Sequence, residues 1–202
     1  MTRSPLAFAL LLGFFTGLAA HADPVDDAAR LFETGKVQEA FERVSAVLDK
    51  NPNQFSAQVL LFKVWLEKRL FTRAEESLAK ILKARENEET WMLAAKYQLA
   101  IGDLGKAKAY ALKVLDRNRR HVDALILLAQ IEDLSGYPSR AAQSLREAGL
   151  VRDDYEPWLY QQGLFMLKQK RFPDLDAHLA RYRKLFPESD RQFHLSSLRA
   201  VA

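Results

Sequence analysis

A motif repeated at a nearly constant interval constrains this chain more than any other feature of its sequence. It is clearest as Gly-Asp-Leu-Gly-Lys-Ala at 102–107, between two segments with helical periodicity. Successive copies lie 33 or 34 residues apart and end in alanine in four cases out of five. These final residues are Ala40, Ala74, Ala107, Ala141 and Leu175. Such a period is typical of repeat proteins, in which each unit packs on the next to bury its apolar face.

A glycine begins three of the five copies, at Gly35, Gly102 and Gly136, while Arg69 and Lys170 stand in its place in the other two. Glycine at this point predicts the end of one helix and a tight turn into the next. Apolar residues recur at three- and four-residue intervals on both sides of the motif, and no segment alternates with a period of two. The sequence therefore predicts an all-α fold.

Five pairs of helices account for the chain after residue 22, and a further helix from Ser189 to Arg199 follows them. Because the last unit of a stacked array leaves an apolar face uncovered, we interpret this helix as a cap. The predicted repeats span 23–54, 55–87, 88–121, 122–155 and 156–188, with the cap over 189–202.

Capping residues predict several helix ends. Asp23-Pro24 places a carboxylate at the N-cap and a proline at the first helical position, where its missing N–H has no cost. In the fourth pair, Gly149 is predicted to end a helix over 139–147, and Asp153-Asp154 is predicted to begin the next one.

The first 22 residues have the three parts of a secretory signal. Arg3 precedes a mostly apolar run over 6–20, and Ala20-His21-Ala22 provides a small-x-small cleavage site. The apolar run has 15 residues, fewer than the roughly 20 that a membrane-spanning helix needs. We therefore predict export to a bacterial periplasm with cleavage after Ala22. The alternative is an uncleaved segment that anchors the chain in the inner membrane.

Composition and motifs narrow the function. The chain has no cysteine, so no disulfide framework is expected after export. Its formal net charge of +4 is too small to predict nucleic-acid binding without a localised basic stripe. The sequence lacks a Gly-rich phosphate loop and a nucleophile motif, and its histidines are isolated. We predict neither an enzyme nor a metal or cofactor site.

The helix pairs resemble the tetratricopeptide repeat family. Its pattern has a large residue in the first helix, a small one four positions later, glycine at the turn, alanine five positions on and proline near the end. Trp91 and Ala95 fill the first two positions in the third repeat, Gly163 is the small residue of the fifth, and Pro52 ends the first. Phe62 departs from the pattern, since a small residue is expected there. The resemblance implies a right-handed α-solenoid with a concave groove.

In this family the first helices line the groove, and the register of the repeats predicts which side chains face it. The surface is mainly apolar, with two lysines and few carboxylates, which suits an extended peptide or an amphipathic helix of a partner. Alternatively, these side chains pack against neighbouring helices and the lysines are solvated. The predicted groove residues are Val59, Lys63, Leu66, Met92, Lys96, Ile126, Gln130, Tyr160 and Leu164.

The resemblance implies a non-catalytic scaffold that binds a protein of envelope assembly, secretion or polysaccharide export. A second prediction concerns the last helix pair, where cations outnumber Asp174 and Asp176 and could bind an anionic polysaccharide or a membrane surface. The other interpretation of these cations is a favourable interaction with helix dipoles. The predicted basic surface consists of Lys168, Lys170, Arg171, Arg181, Arg183 and Lys184.

Overall fold

A computed structural model describes residues 23–202, which form eleven α-helices and no strand. The all-α prediction is confirmed for this part of the chain, while the predicted signal peptide lies outside it. Within residues 23–202, no helix is both long enough and apolar enough to cross a membrane. The helices are α1 (Pro24–Glu33), α2 (Val37–Lys50), α3 (Phe55–Glu67), α4 (Phe71–Ala84), α5 (Glu88–Ala100), α6 (Leu104–Arg117), α7 (Val122–Leu134), α8 (Pro138–Val151), α9 (Glu156–Lys168), α10 (Phe172–Leu185) and α11 (Asp190–Ala200).

The helices form two layers of a solenoid. Within each repeat the first helix packs on the second, and the second packs on the first helix of the next repeat. In addition, α1 packs on α3, α5 on α7, α7 on α9 and α9 on α11. No comparable contact joins successive second helices among the described residues. The first helices therefore form the inner, concave layer, and the second helices spread apart on the outside.

Helix caps agree with the sequence at the start of the array and differ in the fourth repeat. The Asp23 carboxylate accepts the amide N–H of Val25 at 2.9 Å, as predicted. In contrast, α8 continues through Gly149 to Val151, so the predicted helix end there was wrong. The helix α9 begins at Glu156, and its N-cap is Tyr155 in place of the predicted Asp153-Asp154. Gly149 has a packing role within α8, because the indole of Trp158 lies against it and a Cβ there would be 2.6 Å from the ring.

The five turns within the pairs share one backbone conformation. The residue at the glycine position has a positive φ in every repeat, from 77° to 83° at the three glycines and 55° at both Arg69 and Lys170. The next amide then donates to the carbonyl five residues earlier, as from Asp103 to Gln98 at 2.9 Å. This hydrogen bond is that of a Schellman motif. Side chains other than glycine cost about 1–2 kcal/mol in this conformation.

Small residues at the crossing let the two helices of most pairs approach closely, whereas in the second repeat this position holds Phe62, which is completely buried. The residue five positions after the turn is completely buried in all five repeats. In the first helices, the position that faces it is Ala95 in the third repeat and Ala129 in the fourth, and both are buried. In the fifth repeat Gly163 takes this place, where a Cβ would come 2.1 Å from a methyl group of Leu195 on α11. The absence of a side chain at Gly163 therefore allows the cap to dock.

A histidine lies half-buried in the same region, between α9 and α10. The His178 Nε2–H donates to the carbonyl oxygen of Leu159, with 2.7 Å between the two atoms. Burial lowers the pKa of His178, the hydrogen bond to Leu159 opposes that shift, and the charge of Arg181 adds to it. The folded chain therefore binds this proton less readily than the unfolded chain does.

Replacing Lys170 with glycine is expected to raise the free energy of unfolding by about 0.5–1 kcal/mol, because glycine adopts the left-handed conformation without a Cβ clash. Urea denaturation followed by circular dichroism measures the change. Gln169→Gly is the matched control, since Gln169 has a φ of −81° and glycine there only adds freedom to the unfolded chain. This control should lower stability, and equal changes in the two variants would contradict the prediction.

The buried imidazole of His178 predicts a loss of stability in mild acid. As the pH falls below the ordinary imidazole pKa of 6.5, the unfolded state takes up the proton first, and stability is lost until the lowered folded-state pKa is passed. His178→Gln retains a donor for Leu159 but removes this titration. Urea denaturation at about pH 7.5 and 5.5 should therefore show a smaller loss in the variant than in the wild type. The same loss in both proteins would exclude the effect.

Candidate functional site

The inner surface of α3, α5, α7 and α9 brings the predicted groove residues together at three depths. Val59, Met92 and Ile126 are only 6, 7 and 6% exposed, so they form the floor. The side chains of Lys63 and Lys96 are exposed to solvent. The half-buried members of the set are Leu66, Gln130, Tyr160 and Leu164. Two recesses open on this surface.

The recess nearer the C-terminus, called here the apolar recess, lies between α5, α7 and α9 and has a volume of about 280 Å³. Leu134 is 62% exposed there and adds apolar surface to the rim of the recess. Gln130 donates to the side-chain oxygen of Gln161 at 2.7 Å across the recess. The residues that line it are Leu99, Gln130, Asp133, Leu134, Gln161, Leu164, Phe165 and Lys168.

The other recess, called here the charged recess, lies between α3, α5 and α7 and has a volume of about 430 Å³. Its two lysines were predicted, but its three carboxylates were not. Acidic residues in the first turn of a helix are favoured by the helix dipole, so their presence alone does not indicate a binding site. Glu89 lies three residues before Met92, and that spacing could have indicated it. The lining residues are Lys63, Glu88, Glu89, Met92, Leu93, Lys96, His121 and Asp123.

Side-chain hydrogen bonds hold the inner helices in place behind the recesses. The Tyr155 hydroxyl donates to the Asp123 carboxylate at 2.9 Å and so joins the starts of α7 and α9. Burial raises the pKa of Tyr155, and this hydrogen bond raises it further. The Tyr160 hydroxyl lies 2.8 Å from Nδ1 of His194 on the cap. The polar atom of Tyr160, a predicted groove residue, is thus engaged within the chain.

The predicted basic surface does not form one continuous cationic face. Three of its six residues make ion pairs with carboxylates 2.6–2.8 Å away. Arg183 donates to Gln192 at 3.2 Å, and the side chains of Lys170 and Lys184 are exposed. The ion pairs are Lys168 with Asp133, Arg171 with Asp174 and Arg181 with Asp153.

The inner surface of the solenoid is suited to binding a polypeptide segment of another protein. Apolar side chains, amide groups and separated charges face an open groove, which are features that bind an extended segment or a helix. Within residues 23–202, no group of three histidine, aspartate or glutamate side chains converges as metal ligands would.

Residues 31–97 match the family model described as a tetratricopeptide repeat. No curated protein sequence matches the chain significantly. The match and the fold confirm the resemblance deduced from the repeated motif.

Solved tetratricopeptide repeat structures share the fold at low sequence identity. A thermophilic protein of Thermus thermophilus has a TM-score of 0.78 at 18% identity, covering 87% of this chain and 96% of its own. A protein of Parabacteroides merdae has a TM-score of 0.79 at 14% identity, with coverages of 88% and 70%. YrrB, described as having an unusual peptide-binding site, has a TM-score of 0.54 at 14% identity, with coverages of 86% and 90%. At these identities the similarity establishes the fold alone.

Proposed function

We propose that this chain, a member of the tetratricopeptide repeat family, is a non-catalytic scaffold that holds a peptide or helix of a partner protein in its concave groove. Tetratricopeptide repeat domains bind other proteins or peptides. The specific element of the proposal is the surface used, namely the inner layer formed by α3, α5, α7 and α9. The peptide-binding site named for YrrB, which has a related fold, is consistent with this choice.

The apolar recess is the observation that carries the proposal, because it groups three leucines on the inner surface. Leu134 is 62% exposed at its rim, beside Leu99 and Leu164. Covering apolar surface stabilises a complex by about 25 cal/mol for each Å² removed from water. A partner side chain that enters the recess gains this contribution without displacing an ion pair, because Lys168 and Asp133 already satisfy each other.

We further propose that the scaffold works in the bacterial periplasm, with a partner in envelope assembly, secretion or polysaccharide export. This part of the proposal depends on the signal-like pattern of residues 1–22. An inner-membrane anchor formed by the same segment remains the alternative location.

The basic C-terminal end has less support as a binding surface for an anionic polymer or membrane. Arg171 and Arg181 pair with acidic side chains, which reduces the positive potential available to a polyanion. Binding through that end should weaken strongly as salt is raised, whereas binding in the apolar recess should tolerate salt. A salt titration of the complex therefore distinguishes the two surfaces.

Leu134→Gln is expected to weaken partner binding about tenfold, which corresponds to about 1.4 kcal/mol. The partner is first identified by crosslinking in cells from a photoreactive amino acid at position 134, and its affinity is then measured by calorimetry. Leu150→Gln is the matched control, since Leu150 is 84% exposed on α8 of the outer layer and lines neither recess. Because both leucines are exposed, neither change should affect folding.

Three outcomes separate these possibilities. Loss of affinity in Leu134→Gln alone supports the groove. Equal affinity in both variants and the wild type would overturn it. Crosslinks that form from position 150 and not from position 134 would place the partner on the outer layer instead.

A further inference from the structure

The charged recess occupies a gap in the inner layer. Successive first helices pack on each other at most steps of the array, but α3 and α5 do not make comparable contact within the described residues. The recess opens at this step, and its walls come from α3, α5 and α7. A ligand seated there would therefore contact three successive repeats.

The charges of this recess are uncompensated. Lys63 and Lys96 form no ion pair with any described residue, and neither do Glu88 and Glu89. Asp123 accepts a hydrogen bond from a neutral tyrosine. The apolar recess differs, because Lys168 and Asp133 neutralise each other at 2.8 Å.

The two signs of charge are separated along the helix axis. Glu89 and Lys96 lie seven residues apart on α5, which corresponds to about 10 Å at 1.5 Å per residue. They form no ion pair with each other in the described residues, and the buried side chain of Met92 lies between them. A segment that crosses α5 over Met92 would have carboxylates on one side and ammonium groups on the other.

An extended peptide can be complementary to these two oppositely charged walls. Successive side chains of an extended chain point in opposite directions. A basic side chain at one position and an acidic side chain at the next would thus reach opposite walls of the recess. A simple polyanion or polycation would satisfy one wall and be repelled by the other.

We infer that the partner segment held by this chain is an extended, zwitterionic peptide whose basic and acidic side chains occupy positions of opposite parity. Its basic side chains contact Glu88, Glu89 and Asp123, and its acidic side chains contact Lys63 and Lys96. Neighbouring apolar residues of the same segment enter the apolar recess. The inference rests on the proposed function, to which it adds the chemistry and the register of the partner.

Selection from a displayed library of random peptides on the purified protein tests the inference. We expect enrichment of segments in which a basic and an acidic residue are adjacent or three positions apart, next to apolar residues. A selected peptide, labelled with a fluorophore, should then lose about tenfold in affinity for the double variant Lys63→Glu/Lys96→Glu, measured by fluorescence anisotropy. The same variant used as bait should enrich peptides whose basic residues are no longer paired with acidic ones.

The double variant Lys80→Glu/Lys83→Glu is the matched control. Both lysines are exposed on α4 of the outer layer, and their reversal changes the net charge by the same amount. Equal losses of affinity in the two double variants would mean that the net charge and not the recess governs binding, and this would overturn the inference. Circular dichroism of each variant checks that the helices are retained.

The selection also separates failure of the inference from failure of the proposed function. One outcome is enrichment of apolar peptides that have no pattern of charge and that no longer bind the Leu134→Gln variant. This outcome would overturn the inference of a zwitterionic peptide and would leave the groove as the binding surface. If no peptide is enriched, both proposals fail. Enrichment of purely acidic or purely basic peptides would overturn the inference as well.

Discussion

The close approach of two helices at a small residue is the constraint on which the rest of this structure depends. Ala107 can sit completely buried against the first helix of its pair because neither helix has a larger side chain at the crossing. The left-handed turn residue before it, Gly102, fixes the direction in which the second helix leaves. Because each such pair has an apolar face on both sides, the pairs are stable only when stacked.

Curvature, and with it the groove, follows from this stacking. Among the described residues, successive first helices pack on one another at every step except from α3 to α5, and successive second helices make no comparable contact, so the array bends toward the first helices. The repeating positions that fill the crossings are buried and small in most repeats, whereas the positions on the inner surface are not limited in this way. Binding chemistry therefore resides in residues such as Lys96 and Gln130, which occupy equivalent places in neighbouring repeats and differ in character.

The two recesses contribute differently to the binding of a partner, one to its affinity and the other to its specificity. The apolar recess offers Leu134 and Leu164, whose burial would contribute affinity in proportion to the area covered. The charged recess offers separated charges of both signs, which act mainly on specificity because a misplaced charge in the ligand is repelled. A single extended segment that spans both would be selected for its sequence as well as for its apolar character.

The sequence by itself determined the architecture, because the 34-residue period, the turn glycines and the buried alanines obey local steric rules that can be read along the chain. Tertiary structure alone decided the details of the surface. It placed Met92 in the floor, set Glu89 and Asp123 on the wall, and packed Trp158 against Gly149 within α8. It also paired Lys168 with Asp133, 35 residues away. Such contacts depend on the spacing of neighbouring helices. That spacing changes by a few ångströms with the packing between helices, and the sequence period does not encode it.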